Sequence, residues 1–146
     1  MKTVYLIPLA MLIALAISMP FILTTMQSKL AIRSAGKIKA IGVGVYWDEE
    51  CITPITTIDW GIVEPGSTTN KTIFVKNLGN TEITLSKQET NWNPTSAVNF
   101  ITLVWNYEGQ AISPAKSFEL ILTLRVSPNI ADIAVFSFDI EITGTG

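Results

Sequence analysis

Alternation of apolar and polar residues near the end of the chain is the feature that most limits the possible fold. Segment 116–126 has apolar residues at Phe118, Leu120, Leu122, Leu124 and Val126. Segment 135–143 repeats the pattern with Phe136, Phe138, Ile140 and Ile142. Because successive side chains of a β-strand point to opposite faces, each segment predicts a strand with one buried face.

Turn-forming residues divide the rest of the chain into similar short segments. Pro65-Gly66 and the tetrapeptide 77–80 are two such turns, since glycine, proline and asparagine favour turn conformations. Further strands are predicted at residues 38–47, 52–58, 71–77, 81–86 and 100–105. The sequence therefore predicts an all-β, seven-stranded sandwich of two sheets over residues 41–146.

The predicted core consists of the large apolar residues that fall on the inward faces of these strands. They are Trp60, Ile73, Val75, Ile83, Leu85, Ile101, Leu103, Trp105, Leu120, Leu122, Leu124, Phe136, Phe138 and Ile140.

The N-terminal part of the chain differs from the rest in hydropathy. Residues 4–26 form an apolar run without a charged residue, and this run is long enough to span a membrane. Residues 1–28 are therefore predicted to form a signal-anchor or transmembrane helix. A cleaved signal peptide is the alternative, because Lys2 precedes the run and Ala16-Ile17-Ser18 has the form of a cleavage site. A membrane helix tolerates the prolines at 8 and 20 better than a soluble one does.

Charge is distributed unevenly around a predicted basic neck, residues 29–40. Lys29, Arg33, Lys37 and Lys39 lie there without an acid, whereas all 12 acidic residues follow from Asp48 onward. Positive flanks favour a cytoplasmic location for the sandwich. The sequon at Asn70, a candidate glycosylation site, gives weak support for the outside instead. We expect the sandwich to lie outside the cell membrane, mainly because of the family resemblance described below.

Histidine and cysteine content limits the possible chemistry. The chain has no histidine and a single cysteine, Cys51, which excludes a Ser-His-Asp triad, a Cys-His pair, a histidine metal site and an internal disulfide. The acids of "WDEEC", residues 47–51, lack the spaced partners of a calcium site and predict a solvated turn. We therefore expect no catalytic, metal or cofactor site.

Two stretches are candidates for contact with other proteins. In "KIKAIGVGVYW", Ile41, Val43, Val45 and Trp47 alternate with glycines, which predicts either the first strand of the sandwich or a strand donated to a neighbouring subunit. The second candidate is Trp92, in a polar segment predicted to be a loop, where it is either an exposed contact or a lid on the sandwich.

Several of the turns together resemble a known family. Trp60-Gly61, Pro65-Gly66, the turn 77–80 and Ser113-Pro114 are similar to features of the immunoglobulin-like sandwich of the ASH and major-sperm-protein type. A hydrophobic segment followed by one such domain also resembles uncharacterised archaeal cell-envelope proteins. The resemblance implies a binding or scaffolding role and carries no catalytic residue.

Together, these observations predict a non-enzymatic, membrane-anchored cell-surface protein that acts as a structural or interaction module. Its expected partners are the membrane, through the N-terminal helix, and other envelope proteins or copies of itself. No nucleic acid or small-molecule substrate is expected. The alternative is a secreted filament subunit that assembles by β-strand donation after removal of the signal peptide.

Overall fold

The computed structural model describes residues 32–146, which form two facing four-stranded β-sheets. The strands are β1 (Ile32–Ile41), β2 (Val43–Tyr46), β3 (Thr57–Val63), β4 (Thr68–Asn77), β5 (Thr84–Asn93), β6 (Ile101–Trp105), β7 (Ser117–Val126) and β8 (Val135–Thr145). Sheet A has the order β3-β1-β8-β5, and sheet B has the order β2-β4-β7-β6. The predicted all-β, two-sheet sandwich is confirmed and is compatible with an immunoglobulin-like sandwich.

The predicted N-terminal helix, residues 1–28, lies outside the described residues. Within residues 32–146, no helix is both long and apolar enough to span a membrane. The described part contains one short 3-10 helix, Thr95–Asn99, between β5 and β6.

The structure has eight strands in the described region where seven were predicted, because most of the predicted basic neck is strand β1. This strand lies in the middle of sheet A, parallel to β8 and antiparallel to β3. Its inward residues are Ile32, Ser34, Gly36 and Ile38. Serine and glycine at two inward positions hide the apolar period, so the sandwich begins about nine residues earlier than the sequence pattern indicates.

The segment predicted as a single strand at 38–47 passes from one sheet to the other. β1 ends at Ile41, Gly42 adopts φ +71°, and β2 then pairs with β4, with Val45 opposite Val75. A φ in this region is readily adopted by glycine and costs other residues energy. Gly42 therefore marks the point at which the chain changes sheets.

The segment between β2 and β3 protects the outer edge of sheet B. Ile55 donates its backbone N–H to the carbonyl of Val45 at 2.9 Å, and Ile38 donates to the carbonyl of Thr56, also at 2.9 Å. The strand predicted at 52–58 is therefore mostly a connection from one sheet to the other, and β3 begins at Thr57. These hydrogen bonds leave fewer unpaired backbone N–H and C=O groups at the β2 edge of sheet B.

The loop after β4 is held by the buried side chain of Asn77, which is 1% exposed. Its amide nitrogen donates to the carbonyls of Thr81 at 2.7 Å and Ile112 at 2.9 Å, while its Oδ1 accepts the N–H of Gly79 at 2.8 Å. These bonds keep residues 78–82 in a loop, so β5 begins at Thr84, later than the predicted start at residue 81.

The core lies between the two sheets as predicted. Every residue of the predicted core is buried except Trp105, which is half-buried and packs against the core beside Tyr107, with ring centroids 5.4 Å apart. Ile32 and Ile38 of β1 also belong to this core.

Candidate interaction groove

A groove of about 350 Å³ lies on the outer face of sheet A, at the end where β1 and β8 begin and β3 ends. The strand registers arrange its walls in rows. Ile62, Arg33 and Val135 form the first row across β3, β1 and β8. Asp59, Ala35 and Ser137 form the second row. Small side chains in the second row leave space beside the larger ones of the first.

A β-bulge in β3 shapes one side of the groove. The register with β1 shifts between Ser34 and Ala35, so that Trp60 is the additional residue of β3. Gly61 takes φ +74°, and its N–H donates to Oδ1 of Asp59 at 2.7 Å. The bulge turns Trp60 into the core and, two residues later, places Ile62 on the outer face.

The first row combines exposed aliphatic side chains with a cation. Ile62 is 64% exposed and Val135 is 62% exposed, and Arg33 lies between them on the same face. Exposed large aliphatic residues that adjoin a cavity are typical of surfaces that contact other molecules. The groove suits an apolar side chain of a protein segment, with the Arg33 guanidinium and the Asp59 carboxylate at hand for polar groups.

The candidate contact residues of the glycine-containing stretch are separated by the fold. Val43 and Val45 point into the core, where they are 6% and 4% exposed. Trp47, just after β2, is 39% exposed. Ile41 lies at the end of β1, opposite Thr143 of β8. Trp47 is therefore open to contact, whereas Val43 and Val45 serve the core.

Trp92 lies in strand β5 rather than in a loop. Its ring stacks on Phe138, with centroids 4.2 Å apart and planes 12° from parallel, and it packs against the core while remaining half-buried. The positive φ of Asn91, 53°, and an irregular register between Thr90 and Asn93 turn the indole inward.

The acidic stretch 48–50 forms a turn closed by one of its own carboxylates. Asp48 accepts backbone hydrogen bonds from Ile52 and Thr53, each at 2.7 Å, and the bond from Ile52 contributes most to lowering the pKa of Asp48. Cys51 is half-buried in this turn. Among residues 32–146, no three His, Cys, Asp or Glu side chains are placed to hold a metal ion together.

Asn70, the candidate glycosylation site, lies on β4 opposite Thr123 of β7. It is exposed on the outer face of sheet B, the face opposite to that of the groove. A glycan at this position would leave the groove uncovered.

The groove residues Arg33, Ile62 and Val135 were not predicted as a site. Val135 offered a signal, because it is a large apolar residue on the outward phase of an otherwise polar strand face. Arg33 was assigned to the neck, and Ile62 follows a bulge that the alternation does not reveal. The sequence matches no protein-family model and no curated protein.

Proposed function

We propose that this protein is a non-enzymatic, membrane-anchored module of the cell envelope, whose sandwich lies outside the membrane and binds other proteins through the groove. The observation that carries the proposal is the position of Ile62 and Val135, exposed beside a cavity at the end of sheet A where the chain enters. A monomer gains little stability from aliphatic side chains left in water, whereas a bound partner would bury them.

The groove also lies near the proposed anchor along the chain. Five residues, 27–31, separate Met26 from Ile32. At roughly 3.5 Å per residue, they reach about 20 Å at most. An anchored sandwich would thus present the groove close to the membrane, within reach of neighbouring envelope proteins.

The finer family assignment belongs to this proposal. The two-sheet architecture, the buried Trp60 and the turn at Asn77 support a domain of the ASH and major-sperm-protein type, in a protein similar to those of archaeal cell envelopes. Such sandwiches serve binding and scaffolding roles without a shared chemistry.

Site-specific photo-crosslinking in intact cells tests the role of the groove. A photoreactive residue replaces Ile62 in one variant and Thr102, exposed on the outer face of sheet B, in a matched control. We expect discrete protein adducts from position 62, few from position 102, and a several-fold lower yield from 62 when Val135→Ser is added. Equal yields from the two positions, or none from position 62, would contradict the proposal.

A secreted filament subunit is the second candidate, and the placement of β1 favours it. β1 is the first described strand and lies between β3 and β8. A strand that precedes the other strands of its domain is one that a neighbouring copy can supply. In this case the N-terminal segment would be removed and the sandwiches would join through β1.

A further inference from the structure

We propose that β1 is an exchangeable strand, which leaves the space between β3 and β8 of its own sandwich and fills the same space in a second copy. This inference gives a mechanism for the filament subunit proposed above. It depends on that proposed function only for assembly into filaments of many copies. Exchange between two copies needs neither a filament nor removal of the N-terminal segment.

The topology allows β1 to leave without disturbing the connections of other strands. Its ladders are formed with β3 and β8, both distant in sequence, and it precedes every other described strand. No loop of the described region has to pass through another for β1 to withdraw.

A single residue connects β1 to the remainder of the sandwich. Gly42, with φ +71°, lies between the end of β1 at Ile41 and the start of β2 at Val43. If Gly42 becomes extended, β1 and β2 form one continuous strand, and the ten residues of β1 project by about 33 Å. That length suffices to cross the sheet of a second sandwich.

Two buried polar atoms at the inward face of β1 have no hydrogen-bond partner among the described residues. Ser34 and Trp60 are 5% and 3% exposed, and within residues 32–146 neither Ser34 Oγ nor Trp60 Nε1 has a hydrogen-bond partner. A Cβ on Gly36 would lie 3.2 Å from Trp60 Nε1, so this unpaired donor borders β1. Buried polar atoms without partners weaken the association of β1 with its neighbours.

The space left by β1 has to be refilled. Its withdrawal would expose the apolar faces of β3 and β8, including Ile58, Phe138 and Ile140, and two unpaired strand edges. The β1 strand of a second copy restores every one of these contacts. The contacts are the same in the monomer that holds its own β1 and in the dimer with exchanged β1 strands. The conformation of Gly42 and the protein concentration therefore determine the equilibrium between monomer and exchanged dimer.

Cross-chain crosslinking tests the exchange at a position away from the groove. Lys39 of β1 and Glu141 of β8 form an ion pair at 2.9 Å, so cysteines at these positions lie within reach of a short bismaleimide only when β1 is beside β8. In a full-length Cys51→Ser background, Lys39→Cys and Glu141→Cys are placed on separate chains with different tags and co-expressed. A chain with one cysteine cannot crosslink internally, so a covalent heterodimer reports exchange.

The matched control uses Thr102→Cys and Arg125→Cys on separate chains, because this pair joins β6 to β7 within sheet B. We expect a heterodimer from the 39/141 pair and none from the 102/125 pair. Equal yields from both pairs would show random collision and overturn the proposal. So would the absence of cross-chain product when a single chain carrying both Lys39→Cys and Glu141→Cys crosslinks internally.

The hinge supplies a second variant. Gly42→Val disfavours φ +71° and places a Cβ 3.2 Å from the carbonyl oxygen of Gly144, so we expect a several-fold rise in the heterodimer. Gly109→Val is the matched control, because Gly109 also has a positive φ, 92°, but lies outside β1, where an added Cβ would meet no atom within 4 Å. We expect no change in the yield of heterodimer from this variant. A similar rise in both variants, or none in either, would overturn the role of the hinge. Electron microscopy separates the two proposals: filaments without cross-chain product refute the exchange alone, and heterodimers without filaments refute the filament alone.

Discussion

The indole of Trp92 stacks on the ring of Phe138, with centroids 4.2 Å apart and planes 12° from parallel. This contact joins β5, an edge strand of sheet A, to the core-facing side of β8. We predict that Trp92→Ala lowers the free energy of unfolding by about 2 kcal/mol, because a half-buried aromatic contact is lost. Chemical denaturation measures the change.

Trp47→Ala is the control for this prediction, because Trp47 is exposed at the end of β2. Its loss should cost about 0.5 kcal/mol or less. Equal losses for the two tryptophans would contradict a structural role for the stacking contact.

Asn77 supports a second prediction. Asn77→Ala removes three hydrogen bonds from a buried side chain and leaves the carbonyls of Thr81 and Ile112 with fewer donors, so it should cost about 2 to 3 kcal/mol of stability. Asn80→Ala, in the exposed part of the same loop, should cost under about 0.5 kcal/mol. Thermal unfolding of the two variants side by side decides the matter, and matching midpoints would refute the account of the loop.

The turn at Asp48 predicts a dependence on pH. The hydrogen bond from the backbone of Ile52, and then that from Thr53, lower the pKa of Asp48 below its ordinary value of 3.8. A carboxyl whose pKa is lower in the folded state stabilises that state above the unfolded pKa and ceases to do so as the pH falls through the folded pKa. The contribution of Asp48 should therefore begin to decline as the pH falls below 3.8, and it should be lost once the pH is below the lower pKa of the folded state.

The measurement compares the unfolding midpoint of the native protein with that of Asp48→Asn at about pH 6 and again at about pH 3. The difference should shrink at the lower pH. Glu50→Gln, an exposed acid of the same turn, is the matched control for loss of a charge. A difference that is independent of pH would show that the carboxylate does not close the turn.

If the exposed groove residues Ile62 and Val135 serve a partner, their side chains should not be needed for folding. Combined Ile62→Ser and Val135→Ser should change stability by less than about 1 kcal/mol, because both residues are more than 60% exposed. Ile58→Ser, at a position with 0% exposure on the inward face of β3, should cost about 3 kcal/mol or more. A large loss from the groove variant would indicate that Ile62 and Val135 serve the fold instead of a partner.

The sequence revealed those strands whose inward residues are uniformly large and apolar. β8 alternates without exception from Phe136 to Ile142, and its predicted face is the buried one. Residues 32–37 of β1 were not predicted as a strand, because Ser34 and Gly36 occupy two inward positions and their burial depends on residues of other strands, such as Trp60. Local alternation carries no information about such distant support.

The groove was out of reach for a related reason. Arg33, Ile62 and Val135 come from three strands and form a row only through the registers of β1 with β3 and β8. The parallel pairing of β1 with β8 cannot be read from either segment alone, and the bulge at Trp60 changes which residues face outward.

The central proposal is an anchored sandwich outside the membrane, and the most direct test is the intact mass of the protein extracted from native membranes. The account predicts a chain that retains residues 1–31 and carries a glycan that disappears in Asn70→Gln. A mature chain that begins at any position after Ser18, or a protein recovered only from the medium, would contradict the anchor and favour the secreted filament subunit.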